Sequence, residues 1–270
     1  MNLRPSKATA FFLGVLPFLI IGVFYIVASD LRLAENPNDK LLPSLSSFAE
    51  AVDRMALTPS KRTGELLFVN DTSASLQRLG LGVLISAVLA LLIGIPLGFI
   101  PFVRAGLSPF VAALSMVPPM AILPILFIVF GMGELAKVAL IVIGVTPLLV
   151  RDLQQRVSEI PAEQLIKAQT LGGSSWTIVL RVVLPQIMPR LFDSVRITLG
   201  TAWIFLISAE AIAATEGLGY RIFLVRRYMA MDVILPYVAW ITFLAFMIDY
   251  LLKKSTQKLF PWYSGAKEKE

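Results

Sequence analysis

The side chains this chain lacks narrow its chemistry before anything else does. It has no cysteine and no histidine in 270 residues. Without thiols there is no disulfide framework and no thiolate metal centre. Without imidazoles the commonest metal ligand and the usual general base are gone. No carboxylate pair or Ser–Lys dyad is evident within the apolar runs, so no residue is given a catalytic or metal-binding role and no cofactor is expected. No Gly-x-x-x-x-Gly-Lys-Ser/Thr loop is present, so the chain is not expected to hydrolyse ATP itself. Two features with chemical content remain. Glu210 is an acid near the end of an apolar run, and ionisable groups in such runs are costly and carry a role. It can pair with an arginine such as Arg196 or Arg221, take a proton, or face a solute. The second feature is residues 161–189, reading PAEQLIKAQTLGGSSWTIVLRVVLPQIMP, the longest polar interruption in the second half of the chain.

The elements around these features are apolar. The chain is 57% hydrophobic and 16% charged, with mean hydropathy +0.78. Soluble domains carry about 45–50% apolar and about 25% charged residues, so this composition points to an integral membrane protein. Six spans are expected, at 11–28, 76–101, 107–130, 138–150, 191–214 and 233–252. The first is read as a retained span rather than a signal peptide, because its apolar part exceeds the usual h-region of about 7–15 residues. Residues 43–55 read as a short interfacial helix capped by Ser44 or Ser47. Gly94 and Gly98 form a Gly-x-x-x-Gly pair suited to close helix approach. Arg104 marks a turn. Pro118, Pro119 and Pro124 interrupt the third span; a kinked span frees backbone carbonyls and suits a cavity wall. Ser115, Met116, Pro118, Pro119, Met120 and Glu210 are therefore the cavity candidates. The fourth span is expected to continue past residue 150 as a polar extension. Asp249 is expected to meet water or Lys253.

Within the polar interruption, residues 162–171 read as one amphipathic helix stopped by Gly172-Gly173. Ser174-Ser175 cap a second, running from Trp176 to Pro185. An apolar stripe outside lipid needs a partner, and a groove in another protein would bury it. Six spans put both termini on one side. That side carries 14 Lys and Arg and the opposite side 10. The positive-inside rule then places the termini and the loop in the cytoplasm. The net charge of +6 is read the same way, not as nucleic-acid binding. Arg221, Arg226 and Arg227 on the outer side suit either an acidic partner surface or plain solvent.

The loop resembles the signature of binding-protein-dependent ABC transporter permeases: Glu-Ala-Ala, three residues, Gly, nine residues, Ile-x-Leu-Pro. Ala168 matches the second Ala, Gly172 the Gly, Val182 the Ile, and Leu184-Pro185 the Leu-Pro. Ile166 stands where the Glu would be and Lys167 replaces the first Ala. Leu42-Pro43-Ser44, residues 115–119, Phe130-Gly131-Met132-Gly133-Glu134, Ala209-Glu210, Gly217-Leu218-Gly219-Tyr220 and Phe260-Pro261-Trp262 look like the nitrate, taurine and alkanesulfonate group. Within it the chain looks closest to permeases found beside urea-carboxylase-type enzymes. The resemblance implies an all-α integral membrane fold of about six transmembrane helices with type I ABC importer permease architecture. It implies one permease domain over 1–270, a five-helix core at about 72–254 and a coupling loop at 151–190. The coupling residues would be Ala168, Gly172, Gly173, Val182, Leu184 and Pro185. The implied partners are cytoplasmic ABC ATPase subunits, a periplasmic solute-binding protein and a second permease copy, in the bacterial inner membrane. The implied activity is import of a small polar solute by alternating access. The competing reading is an ion-coupled carrier without an ATPase, which would call for internal repeats and midplane charges.

Overall fold

The computed structural model describes residues 6–37, 39–59 and 64–263. Arg4 and the tail 264–270 therefore lie outside the described residues. The helices, in order, are α1 (Lys7–Glu35), α2 (Leu45–Val52), α3 (Leu67–Phe99), α4 (Pro101–Leu114), α5 (Pro119–Phe130), α6 (Glu134–Ser158), α7 (Ala162–Thr170), α8 (Ser175–Ile178), α9 (Leu184–Ala213), α10 (Leu218–Arg226) and α11 (Met231–Leu259). Two π turns, Asp53–Leu57 and Val179–Val183, follow α2 and α8. No strand occurs among the described residues.

Four continuous helical segments are long and apolar enough to cross a membrane: α1, α3, the run Ser175–Ala213, and α11. The pair α4 and α5 forms a fifth, bent by 90° at its break. The helix α6 occupies the place of the remaining expected span. Its apolar stretch is bracketed by Lys137 and by Arg151-Asp152, so its ends are polar, as the expected extension requires.

Several boundaries differ from the sequence expectation. The first helix runs to Glu35, not residue 28, because Leu31, Leu33, Ala34 and Glu35 are good helix formers and no Gly or Pro intervenes before Pro37. The third begins at Leu67, although Asn70 and Asp71 read as loop residues. Tertiary contact overrides that local preference: Asp71 is fully buried, and its Oδ1 accepts the Gly217 N–H at 2.9 Å. Arg104 is not in a turn. It sits in the first turn of α4, and its guanidinium donates to the carbonyls of Leu97 (3.1 Å) and Gly98, two acceptors the end of α3 leaves open.

The chain divides into two compact units. The first comprises residues 1–69 and 221–239. There Tyr25 Oη donates to the Pro43 carbonyl at 2.7 Å and Ser29 Oγ to the Leu42 carbonyl at 2.9 Å. The expected cap holds: Ser44 Oγ accepts the Ser47 N–H, starting α2. Apart from these anchors, α1 presents an apolar surface, from Phe11 to Val27, that nothing in the unit covers.

The second unit comprises residues 70–220 and 240–270. Its core is built on α6 and α9, where Leu140, Ile141, Val145, Leu149, Leu153, Ile187, Ala202, Leu206 and Ala209 are buried. Beside them α3 offers a small residue at every fourth position: Gly82, Ser86, Ala90, Gly94 and Gly98, all buried. A Cβ on Gly94 would lie 3.2 Å from the Val150 carbonyl, and one on Gly98 would lie 2.4 Å from Val157 Cβ. The Gly-x-x-x-Gly pair is thus a packing seam between α3 and α6. It works as expected in lipid, where only close backbone approach distinguishes one apolar neighbour from another.

Candidate functional site: coupling loop, kinked span and ion cluster

The loop 159–183 is built around one glycine. Gly172 has φ +81°, the left-handed region that side chains rarely adopt. Its N–H donates to the Gln169 carbonyl at 2.9 Å, and that of Gly173 donates to the Ala168 carbonyl at 3.0 Å, which closes α7. A Cβ on Gly173 would press 2.8 Å from that same Ala168 carbonyl, so neither glycine is replaceable without movement. Ser174 Oγ then accepts the Thr177 N–H and opens α8. Ile178 and Val183 turn inward and are buried, whereas Leu171 is 89% exposed and Trp176 70% exposed. Ile166 and Leu180 are exposed as well.

The second loop helix does not end at Pro185. It passes through the π turn Val179–Val183 and continues as one rod to Ala213. Proline lacks an N–H and crowds the preceding turn, and the wider π turn just before Leu184-Pro185 accommodates both defects. Leu184 and Pro185 therefore lie inside the joint between loop and span. Just beyond it the rod is tied on several sides. Arg190 meets Glu159 at 3.0 Å, Ser194 Oγ donates to Asp152, and Arg196 meets Asp249 at 2.8 Å. Tyr263 Oη donates to Asp193 at 2.9 Å. Asp249 thus pairs with Arg196 rather than with Lys253 or water alone.

At the break in the kinked span, Ser115 ends α4 and Pro118 caps α5. Met116 and Met120 are exposed. Ser115 Oγ donates to the Ala112 carbonyl and accepts from Arg151 Nη1 at 2.9 Å.

Glu210 lies elsewhere and faces no cavity: its exposure is 0%. Its Oε1 accepts from Arg78 Nη1 at 2.7 Å, and Ser75 Oγ donates to the carboxylate at 2.8 Å. Three consecutive amides at the start of α10 meet this group: Gly217 N–H on Asp71, Leu218 N–H on Ser75 Oγ, and Gly219 N–H on Glu210 Oε2. Arg78 also meets Glu134, which in turn takes Lys137 at 2.7 Å. The carboxylate is fully satisfied, and it offers nothing to a passing cation.

A model of the binding-protein-dependent transport system inner membrane component family matches residues 82–260. The chain belongs to this family. The taurine transport system permease protein TauC of Escherichia coli (strain K12) is 34% identical over 191 residues, covering 71% of this chain and 70% of that protein. The nitrate import permease protein NrtB of Synechococcus elongatus is 32% identical over 148 residues, 55% of this chain and 53% of that protein. Among solved structures, the inward-facing MetNI methionine ABC transporter aligns with TM-score 0.60 at 20% identity, over 74% of this chain and 97% of that one. That last likeness shows the fold, the type I importer permease architecture.

The protein is thus a multi-pass inner-membrane permease subunit of an ATP-driven importer, and ATP hydrolysis belongs to a separate subunit. In this permease, Ala168, Gly172 and Gly173 form the hinge of the loop, and Val182, Leu184 and Pro185 form its joint to α9. Ser115, Met116, Pro118, Pro119 and Met120 cluster at one elbow, away from Glu210. Sequence reasoning missed Arg78, although it falls inside the expected span 76–101, because its acidic partners Glu134 and Glu210 are far from it in the chain. One signal for it was available: a lone arginine seven residues after Asp71 and three after Ser75, in a stretch that otherwise turns apolar.

Proposed function

We propose that this permease works as a homodimer in which two ATPase subunits grip the α7–α8 loop from the cytoplasm. A periplasmic solute-binding protein delivers the solute on the other face. ATP-driven closure of the ATPases moves the loop. The unbroken rod from Ser175 to Ala213 carries that motion to the spans, which alternate in access. The single observation that carries this reading is the exposed apolar row, Ile166, Leu171, Trp176 and Leu180, set on a glycine hinge outside the apolar spans. Such a row calls for a protein groove to cover it.

The solute class follows from the relatives and from Glu210. Taurine carries a sulfonate and nitrate is itself an oxyanion, so a small oxyanion-bearing solute is the reading we favour. A cationic solute finds no free acid at Glu210, because Arg78 already neutralises it.

Replacing Gly172 tests the coupling. A side chain has open space there, so Gly172→Leu strains the backbone at φ +81° rather than causing a clash. The variant is expected to reach the membrane at normal abundance, yet lose binding-protein-stimulated ATP hydrolysis and uptake by about tenfold or more, a strain of about 1–3 kcal/mol acting at the joint. Normal ATPase association with normal uptake would sink the docking role.

A further inference from the structure

Five of the described cations of the second unit are held in ion pairs, Lys137 with Glu134 among them. Arg78 meets Glu134 and Glu210, Arg156 meets Asp152, Arg190 meets Glu159, and Arg196 meets Asp249. Of the three cations on α6, Lys137 and Arg156 are in ion pairs. Arg151 is not: no ion pair joins it to a described carboxylate, and it is exposed. It donates instead to a neutral oxygen, Ser115 Oγ, at 2.9 Å.

That partner fixes where the charge sits. Ser115 is the C-cap of α4, just before the 90° bend, and its hydroxyl proton is already committed to the Ala112 carbonyl at 2.8 Å. Its lone pairs therefore face Arg151 and hold the guanidinium at the elbow of the kinked span. A groove of about 560 Å³ runs along the same stretch, lined by Leu148, Arg151, Asp152, Gln154, Gln155 and Ser158. The acid in that lining is already engaged, since Asp152 Oδ2 takes Arg156 Nε at 2.7 Å and Ser194 Oγ. Gln154 Nε2 donates to Ser108 Oγ at 2.6 Å and Gln155 Nε2 to Glu159 at 3.3 Å. What the groove presents to a small ion is one guanidinium with donors to spare. A guanidinium has five N–H donors in a fixed fork that matches planar or tetrahedral oxyanions.

We propose that Arg151 is an anion-binding residue of the permeation path. Held at the elbow by Ser115, it receives the oxyanion group of the solute, of nitrate or sulfonate type, as the solute moves toward the loop side. This deepens the functional reading above and rests on it for the solute class. One cation without a paired carboxylate, set in a concave groove, raises the local concentration of anions. A single site of this kind also releases them, which transit requires.

The absence of native cysteine gives a direct test. Met116→Cys places a thiol one residue from the Arg151 contact, in the assembled importer with its ATPase. Its reaction rates are measured with an anionic methanethiosulfonate (ethylsulfonate) and a cationic one (ethyltrimethylammonium). The anionic-to-cationic rate ratio is expected to fall about fivefold in Arg151→Gln and to hold in Arg151→Lys. Millimolar nitrate or methanesulfonate is expected to slow labelling beyond gluconate at matched ionic strength, while urea does not. The protection arm needs no change at Arg151, so it stands even if those variants misassemble. An unchanged rate ratio, absent anion protection, or no labelling at all would each overturn the proposal. Uptake of nitrate and taurine is measured in parallel on the parent importer. Uptake without protection removes Arg151 alone; protection by urea in place of the anions removes the solute class with it.

Discussion

At the residue scale, the arrangement around Arg78 sets the strongest local constraint. Its guanidinium is 3% exposed and Glu210 is 0% exposed, so neither charge is solvated by water. Together with Ser75, Asp71 and three backbone amides they satisfy one another. Removing one member leaves a buried charge without its partner, at a cost of about 3–5 kcal/mol. Arg78→Met is therefore expected to cut the folded, membrane-inserted yield sharply and lower the thermal midpoint of the purified permease. Glu210→Gln added to Arg78→Met is expected to recover part of that loss, because the amide keeps contacts to Ser75 and Gly219 without a charge. Thermal unfolding of the two variants side by side checks this; a double variant no better than the single would show that the charges do not act as a pair. The sequence made Glu210 legible, since an acid in an apolar run is conspicuous. It could not supply the partner, because Arg78 is 132 residues away in the chain and nothing local encodes that proximity. Arg196, the nearer candidate, is taken by Asp249.

At the scale of elements, glycines decide how closely α3 and α6 approach. A Cβ on Gly98 would sit 2.4 Å from Val157 Cβ and 2.9 Å from the Gln154 carbonyl. Backbone on one side and a β-branched residue on the other leave little room to give. Gly98→Ala is expected to destabilise the permease by about 1–3 kcal/mol through overpacking. Gly106, in α4, has nothing within 4 Å of a built Cβ, so Gly106→Ala is expected to be neutral or slightly stabilising, as alanine favours helix. The pair of variants, compared by midpoint of thermal unfolding, separates a packing seam from a general intolerance to added methyl groups. The helices themselves were legible from hydropathy, and so was the α7–α8 hinge, because Gly172, Gly173 and Ser174 each act on their immediate neighbours. The continuation through Pro185 was not legible. Proline reads as a stop under the ordinary α rule, and only the π turn at Val179–Val183 removes the conflict. The elbow at Ser115 was likewise visible as prolines, but its 90° bend and its contact with Arg151 are tertiary facts.

At the scale of the whole molecule, the orientation in the membrane decides which face meets the ATPase. Lys and Arg set the sidedness, and two of those on the expected outer face, Arg78 and Lys137, are buried in helices. Without them the outer count drops from 10 to 8 against 14, which strengthens the inference that the α7–α8 loop is cytoplasmic. The two ends of α6 give a test within one rigid element. Met132, just before α6, and Glu163, just after it on α7, are both exposed, and neither belongs to the hinge, the elbow or the ion cluster. Because the chain has no native cysteine, Met132→Cys and Glu163→Cys each carry a single thiol. With a membrane-impermeant maleimide on spheroplasts, Met132→Cys is expected to react at once and Glu163→Cys only after the membrane is opened. The reverse pattern would place the loop outside, where no nucleotide is available to drive it. Equal labelling of both before opening would mean that α6 does not cross the bilayer. The expected pattern requires that α6 span despite its polar ends, with Lys137 paired to Glu134 at one end and the charged run from Arg151 to Arg156 emerging at the other.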